Sequence, residues 1–317
     1  MVFESDTNSS TFDIRGGVVN FQYNDEFRRE NITDNGRYIM VANCAVNIPL
    51  ALASIIGNAL VLHAVWKTPS LRSPSLLLLC GLALSDLAVG AVVQPLFVAD
   101  NFLRLYAQSQ KLKDLFHSGY STVGFSLCGV SLCTMAGISI DRFIAIQKPL
   151  RYASIVTLPR IKRILVAIWG ICLFLASAQL WEERVLLVSI IFMICICLCI
   201  SIICHVSIYK IVRRHQIEIQ TQLQAVESNT ANINMASLHK SAFNAFIVFI
   251  VLVICYCPYL VVYVVSVSVS SINHKILGRA IASTVVFINS ALNPLLYCWR
   301  LRELRDVVLQ TFYKIVY

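Results

Sequence analysis

Asp86, in Leu84-Ser85-Asp86-Leu87, is the one acid in the middle of a long apolar run. A carboxylate in such surroundings is costly, so an acid kept there marks a functional site. Asn58, Ser131, Asn289 and Asn293 fall at matching depths in other apolar runs. A single buried polar residue of this kind usually ties one helix to another, at about 1 kcal/mol. Five at one depth make a polar centre. A second charged group closes a different run, where Asp141-Arg142-Phe143 leads into the basic loop Lys148-Pro149-Leu150-Arg151-Tyr152. An acid–base pair ending an apolar helix belongs at the water boundary or facing a bundle interior. Arg142 therefore sits on the inner rim. Enzyme chemistry has no comparable foothold, because His63, His117, His205, His215, His239 and His274 are scattered without a nucleophile–base pair or metal-ligand spacing. In Cys195-Ile196-Cys197-Leu198-Cys199, residues two apart on a helix point to different faces. The cysteines read as small hydrophobes, and no structural disulfide is predicted.

Positioning these residues takes elements that cross lipid. The 317 residues are 57% hydrophobic and 14% charged, with a mean hydropathy of +0.71, too apolar for a soluble chain of this length. The net charge of +9 could suggest nucleic acid, but the cations cluster beside apolar runs, so membrane lipid is a partner and nucleic acid is not. Seven spans are predicted, at about 41–66, 75–98, 112–146, 161–180, 185–212, 238–267 and 276–298. Each is long enough to cross roughly 30 Å at about 1.5 Å per residue. Sixteen of the 26 Lys and Arg lie on one side and six in the opposite loops, which puts the carboxyl end inside.

Residues 1–41 form an acidic, disordered outer tail with two acceptor sequons for N-glycosylation, at Asn8 and Asn31. No cleaved leader is recognised there, and the first span acts as signal anchor. Residues 42–298 form the spanning domain, and 299–317 a cytoplasmic tail. In that tail Leu301, Leu304, Val308 and Phe312 recur at three- and four-residue steps between cations, predicting an amphipathic helix on the inner leaflet. The fold class is all-α, a seven-transmembrane helix bundle with a short amphipathic eighth helix.

Asp141-Arg142-Phe143 with its proline-containing loop, Cys255-Tyr256-Cys257-Pro258 in span six and Asn293-Pro294-Leu295-Leu296-Tyr297 in span seven resemble the signatures of rhodopsin-like (class A) G-protein-coupled receptors. The resemblance implies a receptor in the plasma membrane, not an enzyme, that passes binding of an unidentified extracellular ligand to a heterotrimeric G protein. The step is an outward swing of the inner end of span six. Tyr256, Pro258 and Pro294 would serve as hinge, since each proline breaks a helical hydrogen bond and frees the carbonyl of Ile254 or Ser290. Asp141, Arg142, Pro149, Leu150, Tyr209 and Tyr297 stand at the coupling positions. Asn58, Asp86, Ser131, Asn289 and Asn293 match a pocket that holds a sodium ion in the resting state, with Asp86 as its charged ligand. Sodium is then expected to weaken agonist binding, and Asp86→Asn to abolish that sensitivity. Phe143 replaces the family's usual tyrosine and Tyr256 its usual tryptophan. Leu238, His239 and Lys240 offer no acid opposite Arg142, which predicts appreciable basal signalling.

His117 stands where the family usually has a bridging cysteine, the second outer loop at 178–184 is short and lacks cysteine, and span five has no proline. These traits resemble the melanocortin, cannabinoid and lysophospholipid branch, and residues 151–160 look like the second inner loop of melanocortin receptors. The acids with which melanocortin receptors hold a basic peptide are replaced here by Leu96, His117 and Ser121. Gly124 replaces the aspartate of amine receptors. Phe287 replaces the lysine to which opsins attach retinal, so no covalent cofactor and no retinal are expected. Asp100, His117, Tyr120, Glu182, Glu183, Tyr256, Tyr259, Tyr263 and Phe287 are the outward-facing candidates for a ligand pocket. A multi-span transporter is the alternative, but it favours internal repeats, and the two halves show none.

Overall fold

A computed structural model describes residues 32–69, 73–177, 183–223, 247, 250–265, 271–300 and 302–316. Among these the chain is helical, with no strand. Asn8, Asn31, Glu182 and the inner end of span six, including Leu238, His239 and Lys240, lie outside the described residues. The principal helices are α1 (Asp34–Lys67), α2 (Pro74–Tyr106), α3 (Gln110–Gln147), α4 (Leu158–Ser177), α5 (Glu183–Leu223), α6 (Ile250–Val265), α7 (Ile272–Arg300) and α8 (Arg302–Val316). Five of them, α1, α2, α3, α5 and α7, contain stretches long and apolar enough to cross a membrane. Helix α4 begins with a cationic turn containing Arg160, Lys162 and Arg163, and α6 is a shorter apolar helix within its described bounds.

Several helices outrun the hydropathy that located them. Helix α1 starts at Asp34, within the segment expected to be disordered, because Thr33 caps it: the Thr33 side chain accepts from the Gly36 N–H at 3.2 Å. That oxygen satisfies one of the four amides a helix start leaves unpaired. Helix α2 continues past residue 98 to Tyr106 through a π turn at Val89–Val93. Pro95 has no N–H for the carbonyl four residues back, and the Gln94 N–H reaches to Val89 instead. The widened turn lies one turn beyond Asp86.

Burial is distributed as lipid, not water, would dictate. On α1, Ile48, Leu52 and Ile56 share an exposed face, whereas Asn47, Ser54 and Asn58 are fully buried. Phe174 on α4 is 75% exposed while Asp86, Asn289 and Asn293 are completely buried. The bundle has an apolar outside and polar groups inside, bonded across helices. Close approach is built in at Gly57, where an added Cβ would stand 2.9 Å from the Pro294 ring. Helix α8 packs Leu304 into the core with Val307 and Val308 beside it, while Arg305 and Asp306 face outward. Part of its apolar face therefore rests on protein.

Candidate functional site

Three sets of side chains are strung along α3, from its amino-terminal half to its carboxyl end. At the carboxyl end, the Arg142 guanidinium binds Asp141 Oδ2 through Nε at 3.0 Å and through Nη2. Tyr152, in the one-turn helix Tyr152–Ile155 after the loop, donates to Asp141 Oδ1 at 2.7 Å. Ser75, at the start of α2, donates to Asp141 Oδ2 at 3.0 Å and lies 2.6 Å from the Tyr152 hydroxyl. Burial, together with the bond to Asp141, holds the Tyr152 phenol above its usual pKa. The carboxylate is thus clasped from α3, α2 and the loop at once. Just above it, the Ser139 hydroxyl meets His205 Nε2 of α5 at 3.4 Å. Pro149 and Leu150 are exposed in the loop that follows α3, Leu150 almost wholly. Tyr209 is largely exposed on α5. Tyr297 is buried on α7, its hydroxyl 3.8 Å from the Met135 sulfur. Ser75 was missed from sequence, and Tyr152 was noticed only as part of the loop.

At mid-depth, Asp86 accepts from Ser131 Oγ at 2.8 Å, Ser290 Oγ at 2.9 Å and Asn293 Nδ2 at 2.6 Å. Helices α2, α3 and α7 meet on this one acid. Helix α1 joins through Ser54, whose hydroxyl donates to the Asp86 carbonyl at 2.9 Å. Asn58 does not touch the carboxylate. Its Nδ2 donates to the Ser54 carbonyl at 2.9 Å and to the Ser290 carbonyl at 3.1 Å. The second is the acceptor that Pro294 releases from α7, so the proline break and the buried asparagine answer one another. Asn289 is completely buried, and neither of its amide atoms has a hydrogen-bond partner. Ser54 was not singled out from sequence, and Ser290 only through its carbonyl, not its hydroxyl. Ser54 is four residues before Asn58 and Ser290 three before Asn293, spacings that share a helix face.

A sodium ion fits the donor set. The centre offers one carboxylate, two serine hydroxyls and the buried Oδ1 atom of Asn293, which has no hydrogen-bond partner. Hard oxygens with one negative charge suit a hard cation rather than a thiophilic metal. Among the described residues no group of three or more His, Cys, Asp or Glu is assembled to hold a metal.

Around the amino-terminal half of α3, this helix, α5, α6 and α7 enclose a cavity of about 100 Å³. His117, Tyr120, Tyr256, Tyr259, Tyr263 and Phe287 line it. Phe97 of α2 packs behind, its ring centroid 5.4 Å from those of Tyr120 and Phe287. Tyr120 donates to Ser283 Oγ across the cavity at 3.1 Å. At the base, the Tyr256 hydroxyl donates to the Cys128 carbonyl at 3.4 Å. Asp100 is buried behind the wall, held by Arg104 Nε at 3.0 Å and facing His117 Nδ1 at 3.5 Å. Arg279 also lines the cavity, its guanidinium 4.9 Å from the Tyr263 ring centroid. Arg279 had been counted from sequence only as an outer-loop cation.

Comparison with known proteins supplies the kinship. The profile of the family described as "7 transmembrane receptor (rhodopsin family)" matches residues 57–183 and 170–297. The chain is also similar to melanocortin receptor 3 of Rattus norvegicus, at 26% identity over 272 residues that span 82% of each protein.

Proposed function

The chain belongs to the rhodopsin-like family of seven-transmembrane receptors, and from that premise we propose that it relays an extracellular ligand to a heterotrimeric G protein by an outward swing of the inner end of α6. Its fold is accordingly a seven-transmembrane bundle, and the family's members are receptors rather than enzymes. The observation that carries the proposal is the continuity of α3. One helix lines the cavity with Tyr120, bonds the polar centre through Ser131 and ends in the Asp141–Arg142 clasp. A ligand that favours a different arrangement of α3 against α6 and α7 shifts all three together, provided it binds that arrangement more tightly.

In the resting arrangement Asp141 neutralises Arg142. In the signalling arrangement the guanidinium leaves Asp141 for the G protein, steadied by Tyr209 and Tyr297, while Pro149 and Leu150 offer the apolar contact. Pro258 and Pro294, with Tyr256 beneath the cavity, supply the places where α6 and α7 bend. Asp86 with Ser131, Ser290, Asn289 and Asn293 holds sodium in the resting state, opposing the change. The receptor resides in the plasma membrane with its amino terminus outside, glycosylated at Asn8 and Asn31, and its carboxyl end in the cytoplasm. Guanine-nucleotide exchange on a panel of added G proteins tests the proposal. Receptor-dependent acceleration on at least one of them is expected, and no acceleration on any would refute it.

A further inference from the structure

We infer that Cys133 and Cys197 form a redox site, a thiol pair that a hydroperoxide carried in the bilayer closes into a disulfide between α3 and α5. Both cysteines are free, and their sulfurs lie 3.8 Å apart although 64 residues separate them along the chain. Cys172 of α4 joins them. Its thiol is within hydrogen-bond reach of Cys133, and an added Cβ at Gly129, one turn before Cys133, would stand 3.4 Å from its sulfur. Three thiols from three helices therefore meet at one point. Cys195 and Cys199, two residues to either side of Cys197, are exposed, so α5 turns Cys197 alone of that run into the bundle. A cysteine that merely fills space needs no sulfur for a neighbour.

Depth selects the oxidant. Cys133 follows by two residues Ser131, which bonds Asp86 in the middle of the bundle. The residues that α4 and α5 turn outward nearby are apolar and exposed, among them Ile171, Phe174 and Phe192. Hydrocarbon holds no water to carry a polar reagent, so the oxidant arrives dissolved in lipid, and the class that fits is an organic hydroperoxide such as an oxidised acyl chain. Cys133 is half-buried and Cys197 buried, which makes Cys133 the thiol that meets it first. The Cys133 sulfur attacks the terminal peroxide oxygen, the O–O bond breaks, and the departing alkoxide takes the thiol proton, leaving a sulfenic acid and an alcohol. The Cys197 sulfur then attacks Cys133, the S–O bond breaks, and the hydroxide leaves with the Cys197 proton as water. The two sulfurs together lose two electrons and the peroxide gains them. To reach a bond of about 2.05 Å the sulfurs close by roughly 1.7 Å, a shift that turning two short side chains about χ1 provides. The new bond ties α3 to α5 between the Asp86 centre and the Asp141 clasp.

The purified full chain in nanodiscs, reduced and then exposed to cumene hydroperoxide or to hydrogen peroxide, tests the inference by mass spectrometry after denaturation and alkylation with N-ethylmaleimide. Wild type treated with cumene hydroperoxide should take two labels fewer than its twelve cysteines, and the missing pair should map to a Cys133–Cys197 cross-link that a phosphine reverses. Hydrogen peroxide, which enters hydrocarbon poorly, should form that cross-link at least tenfold more slowly. In Cys133→Ser and Cys197→Ser the loss of label should fall at least tenfold, whereas Cys195→Ser should react as the wild type does. Full labelling of the treated wild type, linkage of Cys133 or Cys197 to some other cysteine, or equal rates with the two peroxides would each overturn the inference. Should a variant not fold, the wild-type peptide map alone decides. Neither ligand nor G protein takes part, so the outcome stands apart from the signalling proposal.

Discussion

Asp141 gathers donors from Arg142, Tyr152 and Ser75 onto one carboxylate, and this sets how readily Arg142 can leave. Tyr152→Phe removes one hydrogen bond to a charged acceptor at a half-buried site, worth about 1 kcal/mol. Basal nucleotide exchange should then rise about fivefold, read on a G protein the wild type activates. An unchanged or lower basal rate would remove Tyr152 from the clasp. At Asp86 the test is ionic. Replacing N-methylglucamine chloride by sodium chloride at equal ionic strength should raise the thermal midpoint of the purified receptor, since an ion that binds only the folded state stabilises it. Asp86→Asn should erase the difference, and a sodium effect of full size in that variant would place the ion elsewhere. The Asp86 cluster was half legible. Apolar flanks exposed Asp86, Ser131 and Asn293 at matching depths, and Pro294 pointed to the freed Ser290 carbonyl that Asn58 bonds. Ser75 was not legible, because its bond to Asp141 joins residues 66 apart with no periodicity between them.

Among the elements, α1 and α7 are held close by Gly57 against Pro294, where an added Cβ would stand 2.9 Å from the ring. Gly57→Val should push the two helices apart and lower stability by about 1–3 kcal/mol, the usual cost of overpacking. Its thermal midpoint should fall, whereas Gly119→Ala, with open space around the new Cβ, should match or exceed the wild type. Equal midpoints for Gly57→Val and wild type would mean that the contact does not constrain the helices. Element existence was readable from apolar run length, but element ends were not. The Thr33 cap started α1 at Asp34, and α2 ran on beyond its internal π turn to Tyr106, where the Ala107 N–H closes the last turn on the Leu103 carbonyl. Local hydrogen bonding decides such ends, and hydropathy does not register it.

For the whole molecule, the architecture was legible because lipid leaves few solutions, and long apolar runs must be helices with their polar groups turned inward. Which side chains share the cavity was less so. The sequence brought forward Asp100, which braces the wall from behind, and left Arg279, which lines it, among the loop cations. A loop-side cation joins a cavity only through the packing of α7 against α6, and no spacing along the chain records that. The account as a whole is that one bundle couples this outer cavity to a G protein through Arg142. Guanine-nucleotide exchange by wild type and Arg142→Ala, at matched amounts of folded receptor, tests it most directly. The wild type should accelerate exchange on at least one G protein and Arg142→Ala should lose most of that acceleration, whereas a variant that drives exchange as fast as the wild type would contradict the account.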